Sequence, residues 1–142
     1  MAKAKAAKKA KPNPRNKKLY DDGMKVRKAV LGASYVDNSL ANAATDDFMM
    51  SFQDITTEYA WGYVWTRPGL PKKTRSMLNL AMIGILNRPH ELRAHIRGAI
   101  TNGVTKDEIR EVFMQLTIYA GVPAGVDAFR IAKEVFAEMD KA

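Results

Sequence analysis

The chain has 142 residues, 46% of them hydrophobic, no cysteine and a formal charge of +8. Its length suits one packed domain, and the missing cysteine excludes disulfides, thiolate metal sites and thiol redox chemistry, leaving acid–base chemistry as the main catalytic option. The charge resembles a nucleic-acid signature only until it is divided: residues 1–18 hold seven Lys, one Arg and no acid, and the remainder carries 15 basic and 15 acidic residues. The domain over residues 19–142 is formally neutral, so any attraction to nucleic acid is weak and belongs to the tail.

Residues 1–18 are mainly Ala and Lys, with Pro12 and Pro14. Such a composition cannot bury enough apolar surface to offset its ordering entropy, and disorder is expected. The segment lacks Ser and draws its charge mainly from Lys, which argues against an organelle-targeting role. The longest apolar stretch, Met77 to Leu86, is broken by Asn79 and is too short for a bilayer. With no apolar leader and no cysteine, the expected compartment is the cytoplasm.

No run of alternating β-branched residues is present, while helix punctuation recurs, so the domain reads as all-α with about six helices. A first helix is predicted from about Tyr20 to Leu31, with Val26, Val30 and Leu31 on one side and Gly32 after it. Asp37 to Ala44 reads as a connector or a short turn of helix. Thr45, with Asp46 and Asp47 on the positive helix end, opens a second helix that continues to about Val64. Arg67-Pro68-Gly69-Leu70-Pro71 then breaks the chain. A third helix from Lys72 to about Asn87 is apolar on nearly every side, which predicts burial all round. Pro89 opens a fourth helix and Gly103 closes it. Thr105-Lys106-Asp107-Glu108 is a capping box opening a fifth, with Ile109, Val112, Phe113 and Leu116 on its core face. Gly121-Val122-Pro123 separates it from a sixth, which runs to about Met139.

On the fourth helix Leu92, Ile96, Ala99 and Ile100 form the buried stripe, and Glu91 and His95 lie together along one edge of it. Spacing of four stacks carboxylate beside imidazole, the arrangement of a proton-handling pair. The same spacing serves a core-edge histidine that is merely held by its carboxylate. A zinc site is disfavoured, because His90 and His95 are one residue too far apart to share a face and no other His exists. The stretch from Tyr59 to Leu70 holds Trp61, Tyr63, Trp65 and an Arg67 whose backbone is constrained by Pro68. Aromatic walls and one fixed guanidinium suit a small planar carboxylate, and equally they suit ordinary core packing. Arg75 opens an otherwise apolar helix and needs a partner or a ligand. No phosphate-cradling glycine loop or Gly-x-Ser-x-Gly elbow is present.

Taken in order, Met24-Lys25-Val26-Arg27-Lys28-Ala29-Val30-Leu31-Gly32, Trp61-Gly62-x-x-Trp65-x-Arg67-Pro68-Gly69-Leu70, Thr74-Arg75-Ser76, Glu91-Leu92-Arg93-x-His95, Asn102-Gly103-Val104-Thr105 and Ile118-Tyr119-x-Gly121-Val122-Pro123-Ala124 resemble the carboxymuconolactone decarboxylase family. Within it the likeness is to the γ-carboxymuconolactone decarboxylase branch of the β-ketoadipate pathway, and it runs from about Tyr20 to Glu138. The related alkylhydroperoxidase-D-like branch carries Cys-x-x-Cys-x-x-x-His; aligned on His95, its cysteines would fall at Arg88 and Glu91, so that thiol mechanism is not open to this chain.

The resemblance implies an all-helical alkylhydroperoxidase-D-like fold that assembles as a ring-like homo-oligomer, trimer or hexamer, and needs no cofactor or metal. It implies decarboxylation of a small carboxylated lactone in aromatic-compound degradation. His95 would handle the proton, oriented by Glu91. Arg67 or Arg75 would hold a carboxylate, and Trp61, Trp65, Tyr63, Tyr119 and Arg130 would line the pocket. Tyr63 and Arg130 stand where the branch pattern carries Glu and His, which changes the polar lining. The alternative from another class is a divergent member that binds a small carboxylate without turning it over.

Overall fold

The computed structural model describes residues 9–141, and these are helical with no strand among them. Helices α1 (Lys17–Leu31), α2 (Ala33–Ala43) and α3 (Asp47–Ile55) are followed by a π-helical stretch, Thr56–Val64. Helices α4 (Lys72–Ile85), α5 (Pro89–Thr101), α6 (Lys106–Ala120) and α7 (Val122–Met139) complete the chain. The single domain expected from length divides after Arg67 into two compact units, at the point where Pro68, Gly69 and Pro71 interrupt the helices.

In the N-terminal unit, α1 packs lengthwise on the π-helical stretch. The two approach backbone to backbone, because a Cβ at Gly62 would lie 2.1 Å from the Leu19 carbonyl oxygen and one at Gly23 would lie 2.3 Å from that of Thr57. The π geometry is visible in the Trp65 N–H, which reaches back five residues to the Ala60 carbonyl at 3.0 Å. Helix α2 starts at Ala33, earlier than the connector expected at Asp37, since Gly32 at φ 91° both ends α1 and starts α2 without a side-chain cap. Asp46, one residue beyond Thr45, caps α3 by accepting the Met49 N–H.

The expectation of a disordered tail needs correction over its last part. Residues 1–8 lie outside the described residues. Beyond them, Ala10 N–H bonds to the Ala44 carbonyl, Asn13 N–H to Asp54, and the Arg15 and Asn16 N–H groups to the buried Glu58 carboxylate at 2.9 and 3.0 Å. Lys17 and Lys18 already belong to α1, which Asn16 caps by accepting the Leu19 N–H. The anchoring is polar and comes from residues more than thirty positions away, so apolar content gave no sign of it.

The C-terminal unit is built on Leu80, Leu92, Ile96, Ile109, Phe113, Leu116 and Val135, all close to fully buried. The capping box at the start of α6 is reciprocal, with Glu108 N–H bonding to Thr105 Oγ1 at 3.1 Å and Thr105 N–H to Glu108 Oε2 at 2.8 Å. Gly103, at φ 84°, closes α5. The all-round burial expected of α4 is corrected by Leu78, Met82 and Ile85, which lie exposed along one face while Ser76, Leu80 and Gly84 are buried. One small unit has too little mass to cover both faces of that helix.

Candidate active site

Helix α5 carries Glu91 and His95 in the C-terminal unit. Pro89 sits in its first turn, and Leu92, Ile96 and Ala99 seat it in the core, so the pair stands on a rigid element. Arg93 and Arg97 reach the α7 carboxylates, Arg93 to Glu134 and Glu138, and Arg97 to Glu138. At 100° per residue that ion-pair row lies about half a turn from Glu91 and His95, and it fixes the rotation of the helix that presents them. Glu91 is exposed and His95 is partly buried. Burial pushes the His95 imidazole down to about 4, and the Glu91 charge opposes that fall without cancelling it. The ring is therefore neutral at pH 7, with one nitrogen donating and the other accepting.

Arg75 occupies the first turn of α4, partly buried, beside Ser76, whose hydroxyl accepts from Asn102 Nδ2 at 2.9 Å and so ties the start of α4 to the end of α5. Tyr119 stands at the end of α6 and is 82% exposed. It borders an apolar groove of about 400 Å³ between α4 and α6, lined also by Thr74, Leu78, Ile85 and Gln115. Neither His95 nor Arg75 lines that groove. Arg130 is on the outer face of α7, paired with Asp127 at 3.2 Å.

In the N-terminal unit the aromatic stretch divides in two. Trp61 and Trp65 stack at 4.9 Å between ring centres and are buried with Val30. Tyr63 points outward, 54% exposed, with the Arg67 guanidinium 5.8 Å from its ring centre. In a helix of about 4.4 residues per turn, positions 61 and 65 share a side and position 63 opposes them. Thus the buried indoles and the exposed Tyr63–Arg67 pair form separate features of this unit.

Two charged residues that were assigned no role from the sequence, Arg27 and Glu58, are the most deeply buried of the described charged residues. Arg27 is 5% exposed, its Nη1 donating to Gln53 Oε1 at 2.8 Å and Thr57 Oγ1 at 2.9 Å. The signal was available in the spacing of Tyr20, Gly23, Arg27 and Val30, a core stripe that Arg27 interrupts. Glu58, whose carboxylate holds the start of α1, was likewise unmarked.

Comparison with known proteins follows the same lines as the fold. The chain is similar to 4-carboxymuconolactone decarboxylase of Acinetobacter baylyi, 45% identical over 120 residues that make up 84% of this chain and 88% of that one. It is also similar to nitrosuccinic acid decarboxylase of Metarhizium robertsii, 44% identical over 124 residues, 87% of this chain and 85% of that protein. The profile of the carboxymuconolactone decarboxylase family matches residues 51–134, more than half of the sequence. On these matches the chain belongs to the carboxymuconolactone decarboxylase family.

Proposed function

We propose that the chain is a carboxy-lyase that removes carbon dioxide from a small carboxylated lactone, γ-carboxymuconolactone or a relative, in aromatic-compound degradation. The observation that carries this reading is that both relatives, 45% and 44% identical over most of the chain, are named as decarboxylases of small organic acids. The chemical problem is the electron pair left when the carbon–carbon bond to the carboxylate breaks. In a carboxylated unsaturated lactone that pair flows through the ring onto the lactone carbonyl as a dienolate, and a carbon must then take a proton.

His95 handles that proton. The ring is neutral in the free protein, and an anionic acid or dienolate beside it acts in the same direction as Glu91, drawing a proton onto the imidazole where the carbanion needs one. Arg67 or Arg75 holds a carboxylate. The remaining candidates for pocket walls are Trp61, Trp65 and Tyr63 in the N-terminal unit and Tyr119 and Arg130 in the C-terminal unit. A trimer or hexamer suits the exposed apolar faces of α4, α6 and α7, which include Met82, Ile118 and Val126. The reading is tested by release of carbon dioxide from carboxylated lactones by the purified chain. If none of these acids is turned over, the binding-only alternative replaces it.

A further inference from the structure

Arg27 is a cation in the core of the N-terminal unit with neutral company. Its Nη1 bonds to Gln53 and Thr57, whereas its Nε is buried and has no acceptor among the described residues. Burial holds its pKa below the ordinary arginine value, and the ionisable groups that act on it are the phenols of Tyr35 and Tyr20. Of the acids nearest in sequence to its partners, Glu58 accepts the Arg15 and Asn16 N–H groups, and Asp54 accepts the Asn13 N–H through Oδ2 while its Oδ1 is buried with no hydrogen-bond partner among the described residues. Other arginines of the chain are treated differently: Arg93, Arg97, Arg110 and Arg130 each bridge to Asp or Glu. A guanidinium does not escape its burial by losing a proton, so an uncompensated one calls for an anion from outside the chain.

The surroundings fit one kind of anion. Gln53 is oriented by its own Nε2, which donates to Ser39 Oγ at 3.1 Å and so turns Oε1 toward the guanidinium. That fixes the plane of the fork, which is what bidentate recognition of a carboxylate requires. Along α1, Arg27 is flanked by Val26, Val30 and Leu31, which pack with the stacked Trp61–Trp65 pair. Guanidinium and flat apolar wall together match a small organic acid better than a hydrated inorganic ion. Thr57 lies in the first turn of the π-helical stretch, a geometry that recurs where a helix is shaped around a ligand.

We propose that Arg27 is a carboxylate-binding residue, holding a carboxylate of a small dicarboxylic acid against the Trp61–Trp65 side of the N-terminal unit. The ligand class rests on the decarboxylase reading, since a diacid that loses one carboxylate keeps the other as a handle. The binding itself is read without turnover. Succinate is titrated against the full chain by tryptophan fluorescence, with succinamide and matched sodium chloride as neutral and ionic controls, for the wild type, Arg27→Lys and Arg27→Gln. The wild type should respond saturably to succinate and not to succinamide. Arg27→Lys, folded by circular dichroism, should bind about tenfold more weakly, because the ammonium keeps the charge and loses the fork. If Arg27→Gln fails to fold, the lysine variant carries the comparison. Unchanged affinity in Arg27→Lys, or no saturable response of the wild type, overturns the proposal. So does a change of oligomeric state in the variants with no succinate effect, which would assign the balancing acid to a second copy. Succinate binding with no carbon dioxide release from lactone acids would leave this site standing and remove the decarboxylase reading. Carbon dioxide release with unchanged binding in Arg27→Lys would do the reverse.

Discussion

Glu91 stands one turn before His95 on α5, and its charge raises an imidazole that burial has pushed down to about 4. The two effects are unequal, and burial wins. Neutral His95 is thus a property of the folded chain that carboxylate proximity alone would not give.

A stability profile against pH should report it. The ordinary value of 6.5 applies to the unfolded chain and about 4 to the folded one, so between those values the unfolded state binds the proton and the folded state does not. This contribution is fully present above pH 6.5 and is lost as the pH falls toward 4, up to about 3 kcal/mol in all. Urea unfolding of the wild type and His95→Gln across this range should show the wild type losing more stability on acidification. Parallel curves would mean that the ring is not desolvated.

Gly62→Ala should be among the most damaging small changes in the N-terminal unit. The new Cβ would meet the Leu19 carbonyl oxygen and carbon at 2.1 and 2.8 Å, and both atoms are backbone. Relief requires α1 to move, and a loss of about 3 kcal/mol is expected. A loss below about 0.5 kcal/mol in chemical denaturation would show that α1 shifts freely.

Removing residues 1–16 should lower stability by about 1–3 kcal/mol, because it takes away the Asn16 cap and the N–H groups that satisfy the buried Glu58 carboxylate. Glu58→Ala in the full chain should reproduce most of that loss. Truncation without effect on the melting temperature would return the segment to the status of a solvated tail.

Met82→Lys places a charge on the exposed face of α4, where Leu78 and Ile85 also lie. In light scattering it should shift the protein toward the monomer while leaving its helical circular dichroism intact, since no buried side chain of the unit is touched. A wild type that is already monomeric at micromolar concentration would contradict the assembly.

Much of the fold was legible. The Thr105–Glu108 capping box, Gly103 and the Pro68–Pro71 break carry their signals within a few residues, and each element they punctuate lies where expected. The π-helical stretch was not, because Thr57, Trp61 and Trp65 at spacing four read as an ordinary helix face. The anchoring of residues 10–16 depends on Ala44, Asp54 and Glu58, partners far along the chain that no local pattern reveals. At the candidate site the Glu91–His95 pair followed from spacing. The division between buried Trp61 and Trp65 and exposed Tyr63 followed only from the wider turn of the π geometry. Arg27 was given no role because the Met24–Gly32 motif that contains it was read only for its resemblance, while its position in the core stripe is a matter of periodicity.

The proton-handling role of His95 is tested most directly by carbon dioxide release from a carboxylated lactone acid, comparing the wild type with His95→Ala after matching their melting temperatures and oligomeric states. The account predicts turnover by the wild type and a fall of about 10²–10⁴-fold in the variant, the range expected when a positioned proton donor is lost. Full activity in a folded His95→Ala protein would contradict it and move the proton donor elsewhere, with Tyr63 and Tyr119 the next side chains to examine.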